Sequence, residues 1–179
     1  MFDIDDALAD VVARSTQPAL GGIKLAWWRE RLEELDAGKV PAEPRLQAAA
    51  SELLPRGVSG ADLAQLETGW AALLQEQIDV EAVLSGGVTL FTLAARLLEQ
   101  KPPDFLDIHG RLYAAGTLTR RGIAPGGLFV ITESPRMPSR IRPLTGLAVL
   151  ALRDMRRAEP EGTPGRAWKL LRHRLTGKL

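Results

Sequence analysis

Proline and glycine fall in groups along this 179-residue chain. Between the groups, apolar residues return every third or fourth position, the repeat of a helix that buries one face. Strand-like alternation is missing. Over residues 3–14 the apolar stripe is Ile4, Leu8, Val11 and Val12. Over 20–35, Leu25, Trp28, Leu32 and Leu35 share a face, and Arg29, Glu30, Glu33 and Glu34 lie largely on the other. Gly38 is placed to cap that helix. Pro41 and Pro44 open the next element, which ends before Pro55. Ser59 with Asp62 reads as a capping box in which Asp replaces Glu, starting a helix to about Gln77. Asp79 caps another that carries Val83, Leu90, Leu93, Leu97 and Leu98 to about Gln100. Gly86 and Gly87 lie inside that pattern, each costing about 1 kcal/mol relative to Ala, and predict a kink or a close helix contact. A further helix covers 103–121 and ends at Gly122. Residues 122–143 hold Pro125, Gly126, Gly127, Pro135 and Pro138 and read as a loop with one helical turn around 128–131. Pro143 then opens a helix to about Arg157, and after the EPEGTPG break a last helix runs over 164–175. The expected fold is all-α: a compact bundle of seven or eight helices in a single domain, 1–179.

Composition narrows the chemistry. With 45% hydrophobic and 25% charged residues, the chain has the make-up of a folded protein. It has no cysteine, which removes disulfides, thiol nucleophiles and Cys-ligated zinc or iron–sulfur centres. Of its two histidines, His109 lies near Asp107, and His173 lies in a basic helix where exposure is expected. The four tryptophans fall in helical patterns and predict core or interface packing. No phosphate-binding glycine loop or Ser-His-Asp signature occurs. No run reaches the roughly 18 apolar residues of a membrane span. The start, MFDIDDALAD, is too acidic for a secretory or mitochondrial leader, so a cytoplasmic location is expected.

Charge is unevenly distributed. Residues 1–36 hold eight acids and four bases, and residues 153–179 hold eight bases and three acids. At the acidic end, Asp6 and Asp10 are spaced D-x-x-x-D, which on a helix brings both carboxylates within reach of one cation. Magnesium favours such hard oxygen ligands and bridges them to substrate phosphates. The plainer reading is an acidic first turn that favours the helix dipole. At the basic end, Arg166, Lys169, Arg172, Arg174 and Lys178 interleave with Trp168, Leu170 and Leu171. A helix of this kind binds an acidic lipid, RNA or protein face, or is simply a solvated face.

The stretch PALGGIKLAWWRERL (18–32) resembles the P-x-L-x-x-I-R-L-A-W-W-R-x-x-L helix of the squalene/phytoene synthase family, in its proteobacterial branch. LLPRGVSGADLAQLETGWAALL (53–74), GGVTLFTLAARLL (86–98), RPLTGLAVLALRDMRR (142–157) and RAWKLLRHRLTGKL (166–179) resemble later helices of that family in the same order. The resemblance implies an isoprenoid-synthase fold. In active members, two aspartate-rich motifs across a central cavity hold magnesium ions and the diphosphates of two prenyl substrates for head-to-head condensation. Asp6 and Asp10 match the first motif in spacing and place. The second is similar to G-x-A-x-Q-L-x-N-x-x-R-D-x-x-x-D, and its counterpart here is GRLYAAGTLTRRG (110–122). Arg120 matches the arginine, Arg121 stands where aspartate is expected, and Ala114 and Thr117 stand at the Gln and Asn positions.

The resemblance therefore implies a short, degenerate member with a truncated isoprenoid-synthase fold and without full prenyltransferase activity, since family members carry an additional helix before the first motif. It would bind a prenyl diphosphate or other isoprenoid ligand, with Arg120 and Arg121 as candidate diphosphate contacts, or serve in assembly, with peripheral membrane contact. Eukaryotic relatives of that branch include a mitochondrial complex I assembly factor that traded catalysis for such a role, an analogy at the level of fold. Two alternatives stay open. One is an active magnesium-dependent prenyltransferase using Asp6, Asp10 and a second acidic pair, for which Asp104 and Asp107 are nearest. The other is a non-enzymatic helical module whose basic C-terminal helix is the binding element. A net charge of +1 and the lack of a reader motif argue against a nucleic-acid partner.

Overall fold

A computed structural model describes residues 1–98, 101–103, 105–123, 135–157 and 160–179. All regular structure among them is helical. Helix α1 spans Phe2–Arg14 and α2 Pro18–Glu34. A 3₁₀ turn follows α2, and Gly38 closes it at φ 74°, the left-handed position foreseen for it. Helix α3 (Pro44–Ala48) continues through a wide turn and a 3₁₀ turn to Arg56, so this element passes Pro55 rather than stopping before it. Helices α4 (Gly60–Ala64) and α5 (Leu66–Ala71) meet at Gln65 and run on to Leu74, a turn short of the expected end. Counted as one, they bring the described helices to eight. Helix α6 is Val80–Leu97, α7 Leu106–Arg120, α8 Arg142–Arg157 and α9 Pro164–Thr176. The helical turn expected around 128–131 lies outside the described residues.

Local chemistry explains several boundaries. The capping box forms: Ser59 Oγ accepts from the Asp62 amide at 2.9 Å, and the Asp62 carboxylate accepts from the Ser59 amide at 3.2 Å. Asp36, from the end of the α2 segment, accepts from the Gly60 and Ala61 amides at 2.6 and 2.9 Å, so the α4 N-terminus is also held from outside. Asp79 caps α6 through the Ala82 amide at 3.1 Å.

From α5 onward the helices pack in chain order: α6 lies between α5 and α7, α7 between α6 and α8, and α9 lies on α8. Helices α1 and α2 close the α5 side. Small residues permit the close crossings. A Cβ on Gly87 would collide with the Gly110 carbonyl oxygen, and one on Gly116 would strike Ala151. The glycines inside α6 therefore serve contact rather than a kink; the helix is continuous across them. Ile4, Leu8, Leu25, Leu32, Leu63, Leu66, Leu90 and Phe91 form the buried core, with Trp28 and Trp70 at its margin. Each large side chain buried this way contributes roughly 1.5–3 kcal/mol. Of the four tryptophans, expected in core or interface packing, Trp27 and Trp168 are exposed. Helix α6 is also the one described helix whose length and composition would suit a membrane crossing, with a mean hydropathy of 1.4 over 18 residues. Its apolar character is accounted for by its place between two neighbours.

Candidate functional site

Helix α1 lies where its acidic residues meet the end of α7. Its period divides them. Asp3 and Asp6 face out, Asp10 sits at the edge, and Asp5 points inward with Ile4, Leu8 and Ala9. The predicted pair, Asp6 and Asp10, shares a face as its spacing requires. The cation between them is Arg121. One guanidinium nitrogen donates to Asp10 Oδ1 at 2.6 Å and the other to Asp6 Oδ1 at 3.1 Å. Arg14 adds a contact to the second Asp10 oxygen at 3.1 Å. The hydrogen bond from Arg121 and the surrounding positive charge hold the Asp10 carboxyl below the usual range.

The chain thus brings together three of its four expected site residues, Asp6, Asp10 and Arg121. Arg120, the fourth, turns toward α8. It lies 3.9 Å from Asp154 and 3.7 Å from Glu161, and both arginines line a shallow depression with Asp6, Thr117 and Glu161. Around this depression Arg120 and Arg121 face Asp6, Asp10, Asp154 and Glu161, with Arg166 also on Asp154 and Arg14 on Asp10.

This donor set does not fit magnesium as arranged. Two carboxylates converge, and the position that a metal would take between them is filled by a guanidinium fork that satisfies one oxygen of each. Among the described residues no group of three or more His, Asp or Glu side chains gathers to hold a metal. Asp107 lies in the first turn of α7, and Asp104 lies outside the described residues.

The inward carboxylate is Asp5. Trp70 Nε1 donates to its Oδ1 at 2.8 Å across the α1–α5 contact. Burial pushes the Asp5 carboxyl up to about 6, against the stabilising Trp70 hydrogen bond. Its signal in the sequence is position: Asp5 stands three residues before Leu8 and four before Ala9, inside the buried stripe. Tyr113 closes the other side, edge-on to Phe2 at 5.7 Å and tilted against Phe91 at 5.5 Å. Burial, with the charges of Asp5 and Asp6, pushes the Tyr113 phenol up, so it stays protonated. Between Asp5, Trp70, Gly87, Tyr113 and Thr117 remains a cavity of ≈ 20 Å³. That space holds about one water, far less than an isoprenoid chain needs.

Both histidines are buried. His109 Nδ1 pairs with the Phe105 carbonyl at 3.1 Å. His173, expected at the surface, turns inward: Nδ1 donates to the Lys178 carbonyl at 2.8 Å, and Nε2 accepts from the Thr145 hydroxyl at 2.8 Å. Burial lowers both imidazole pKa values and keeps the rings neutral. The sequence reading also missed the buried pair of Asp154 on α8 and Arg166 on α9. Arg166 and His173 are seven residues apart, two helical turns, so they mark one face of α9.

Known protein families, curated proteins and solved structures give no match to this chain.

Proposed function

We propose that this chain is a non-catalytic relative of the squalene/phytoene synthases that works through binding or assembly rather than turnover. The ordered sequence resemblance supports the family. The observation that carries the loss of catalysis is Arg121, which stands at the second motif's aspartate position and ties up both first-motif carboxylates. Condensation of two prenyl diphosphates needs metal charge to stabilise each leaving diphosphate and a dry cavity to shelter an allylic cation. Here the carboxylates are paired within the chain, and the enclosed cavity on the Asp5 side has room for about one water. The larger space at Arg121, ≈ 590 Å³ between Val12, Leu73, Ile78 and Ile123, is open to solvent and does not shelter a cation.

What the arginine does instead is structural. It clamps α1 to the C-terminal end of α7, beside the Asp5–Trp70 bond that ties α1 to α5.

The test is incubation of the purified protein with geranylgeranyl or farnesyl diphosphate and magnesium, read by product extraction. No condensed product is expected from the natural chain. Product that disappears in Asp6→Ala would establish the active prenyltransferase and overturn this reading.

A further inference from the structure

Helix α9 is amphipathic in the inverted sense. The side packed on α8 is fastened by polar groups: Arg166 pairs with buried Asp154, and His173 with Thr145, with Leu170 against Gly146 between them. The helix end is fixed by Arg142, which donates to the Met137 carbonyl at 2.8 Å and to the Arg174 and Leu175 carbonyls at 2.9 and 3.1 Å. With those contacts setting its rotation, Trp168, Leu171 and Leu175 point to solvent, exposed by 67%, 46% and 71%. Their spacing, i, i+3 and i+7, makes one stripe. A scattered surface leucine needs no explanation, whereas a continuous outward stripe capped by a tryptophan does.

Beside the stripe, between α8 and α9, runs a groove of ≈ 310 Å³ lined by Arg153, Arg156, Arg157, Lys169 and Arg172, with Trp168 at its edge. Among the described residues, Arg156, Lys169 and Arg172 have no carboxylate partner. Burial, followed by the charges of Arg172, Arg156 and Arg153, depresses the Lys169 pKa. An anion entering the groove would relieve that repulsion.

We infer that the α8–α9 face is a docking surface for an anionic phospholipid bilayer, with Trp168, Leu171 and Leu175 entering the interface and Arg156, Lys169 and Arg172 meeting lipid phosphates. Charge decides the occupant. A second copy docked symmetrically would set this cationic groove against itself. An acidic, apolar-cored surface answers both halves of the face, and a tryptophan at the boundary suits the headgroup layer. This inference rests on α8 and α9 and stands whether or not the chain turns over a prenyl substrate.

The experiment is flotation of the full chain with vesicles of phosphatidylcholine alone and of phosphatidylcholine mixed with phosphatidylglycerol. Binding is expected to the mixed vesicles, to weaken with added salt, and to be weak or absent on neutral ones. Neutralising one cation at the surface is expected to cost about fivefold in partitioning, so Lys169→Gln with Arg172→Gln should cost roughly 25-fold. Trp168→Ser with Leu175→Ser should abolish flotation while leaving the melting curve in place, because neither side chain is packed inside. Failure to float with the mixed vesicles would overturn the proposal. So would equal binding to neutral vesicles, binding unchanged in the Trp168 and Leu175 variant, or retention of an RNA duplex in place of lipid at the same salt.

Discussion

The acidic start and the basic end of this chain meet opposite fates. Around α1, three of the four carboxylates are answered within the molecule: Asp5 by Trp70, Asp6 and Asp10 by Arg121, and Asp10 again by Arg14. Around α9, only the inner charges are answered, Arg166 by Asp154, while Lys169 and Arg172 face their own kind. The first region uses charge to fasten a helix. The second uses one ion pair to fasten a helix and leaves the remaining charge outward. A charged segment is therefore read better by where its counter-charge lies than by its net sign.

The largest effect is expected where the basic region is fastened. Asp154→Ala leaves Arg166 buried without its partner and should cost about 3–5 kcal/mol in denaturant unfolding. If the cost is small, α9 is not oriented as described, and the contrast between its two faces fails.

Next comes Asp5→Asn. The folded-state pKa is raised from 3.8 to about 6. This carboxyl therefore costs stability above pH 6, by up to about 3 kcal/mol, and the cost is relieved as pH falls through 6 toward 3.8. The histidines act in the opposite sense. Neutral in the fold, with pKa values below the ordinary 6.5, they favour the unfolded chain, which takes up protons as pH drops through 6.5. In the natural chain the two trends oppose each other as pH falls below about 6. Asn at position 5 keeps the acceptor for Trp70, should stabilise the protein at neutral pH, and should leave a simple decline on acidification. Thermal melts at half-unit steps of pH would show both, and an unaltered profile would count against a buried, ionisable Asp5.

Arg121→Ala should be milder. The aspartates it bridges are largely solvated, and bonds of this kind contribute about 1 kcal/mol or less. High salt should shrink the difference between the variant and the natural chain. The smallest effect is Trp168→Ser, whose melting free energy should shift by no more than about 0.5 kcal/mol because the ring touches solvent. A larger loss would mean that this ring is part of the core, erasing the outward half of the comparison.

Local chemistry was legible along the chain. The Ser59–Asp62 box, the Asp79 cap, Gly38 and the apolar face of α2 all rest on contacts within a few residues, and the all-α bundle follows from their sum. The glycines of α6 marked a special site, but only the fold tells contact from kink, because Gly110 on α7 supplies the partner. The candidate site was half legible. D-x-x-x-D placed Asp6 and Asp10 on one face, and the resemblance to squalene/phytoene synthases drew attention to Arg121. That the two belong together depends on a contact spanning 111 residues, which no local pattern encodes. The inner face of α9 was misread for a related reason: His173 was expected at the surface, and it lies inside because Thr145 of α8 and the Lys178 carbonyl receive it.

The central claim is that Arg121 serves as the cation of the Asp6–Asp10 pair. Its most direct test is titration of the natural chain and of Arg121→Ser with Mn²⁺, followed by paramagnetic broadening of the Asp6 and Asp10 amide signals. The account predicts little site-specific broadening in the natural chain and a saturable site at these two residues once the guanidinium is gone. Saturable broadening at Asp6 and Asp10 in the natural chain, at the same metal concentrations, would contradict it.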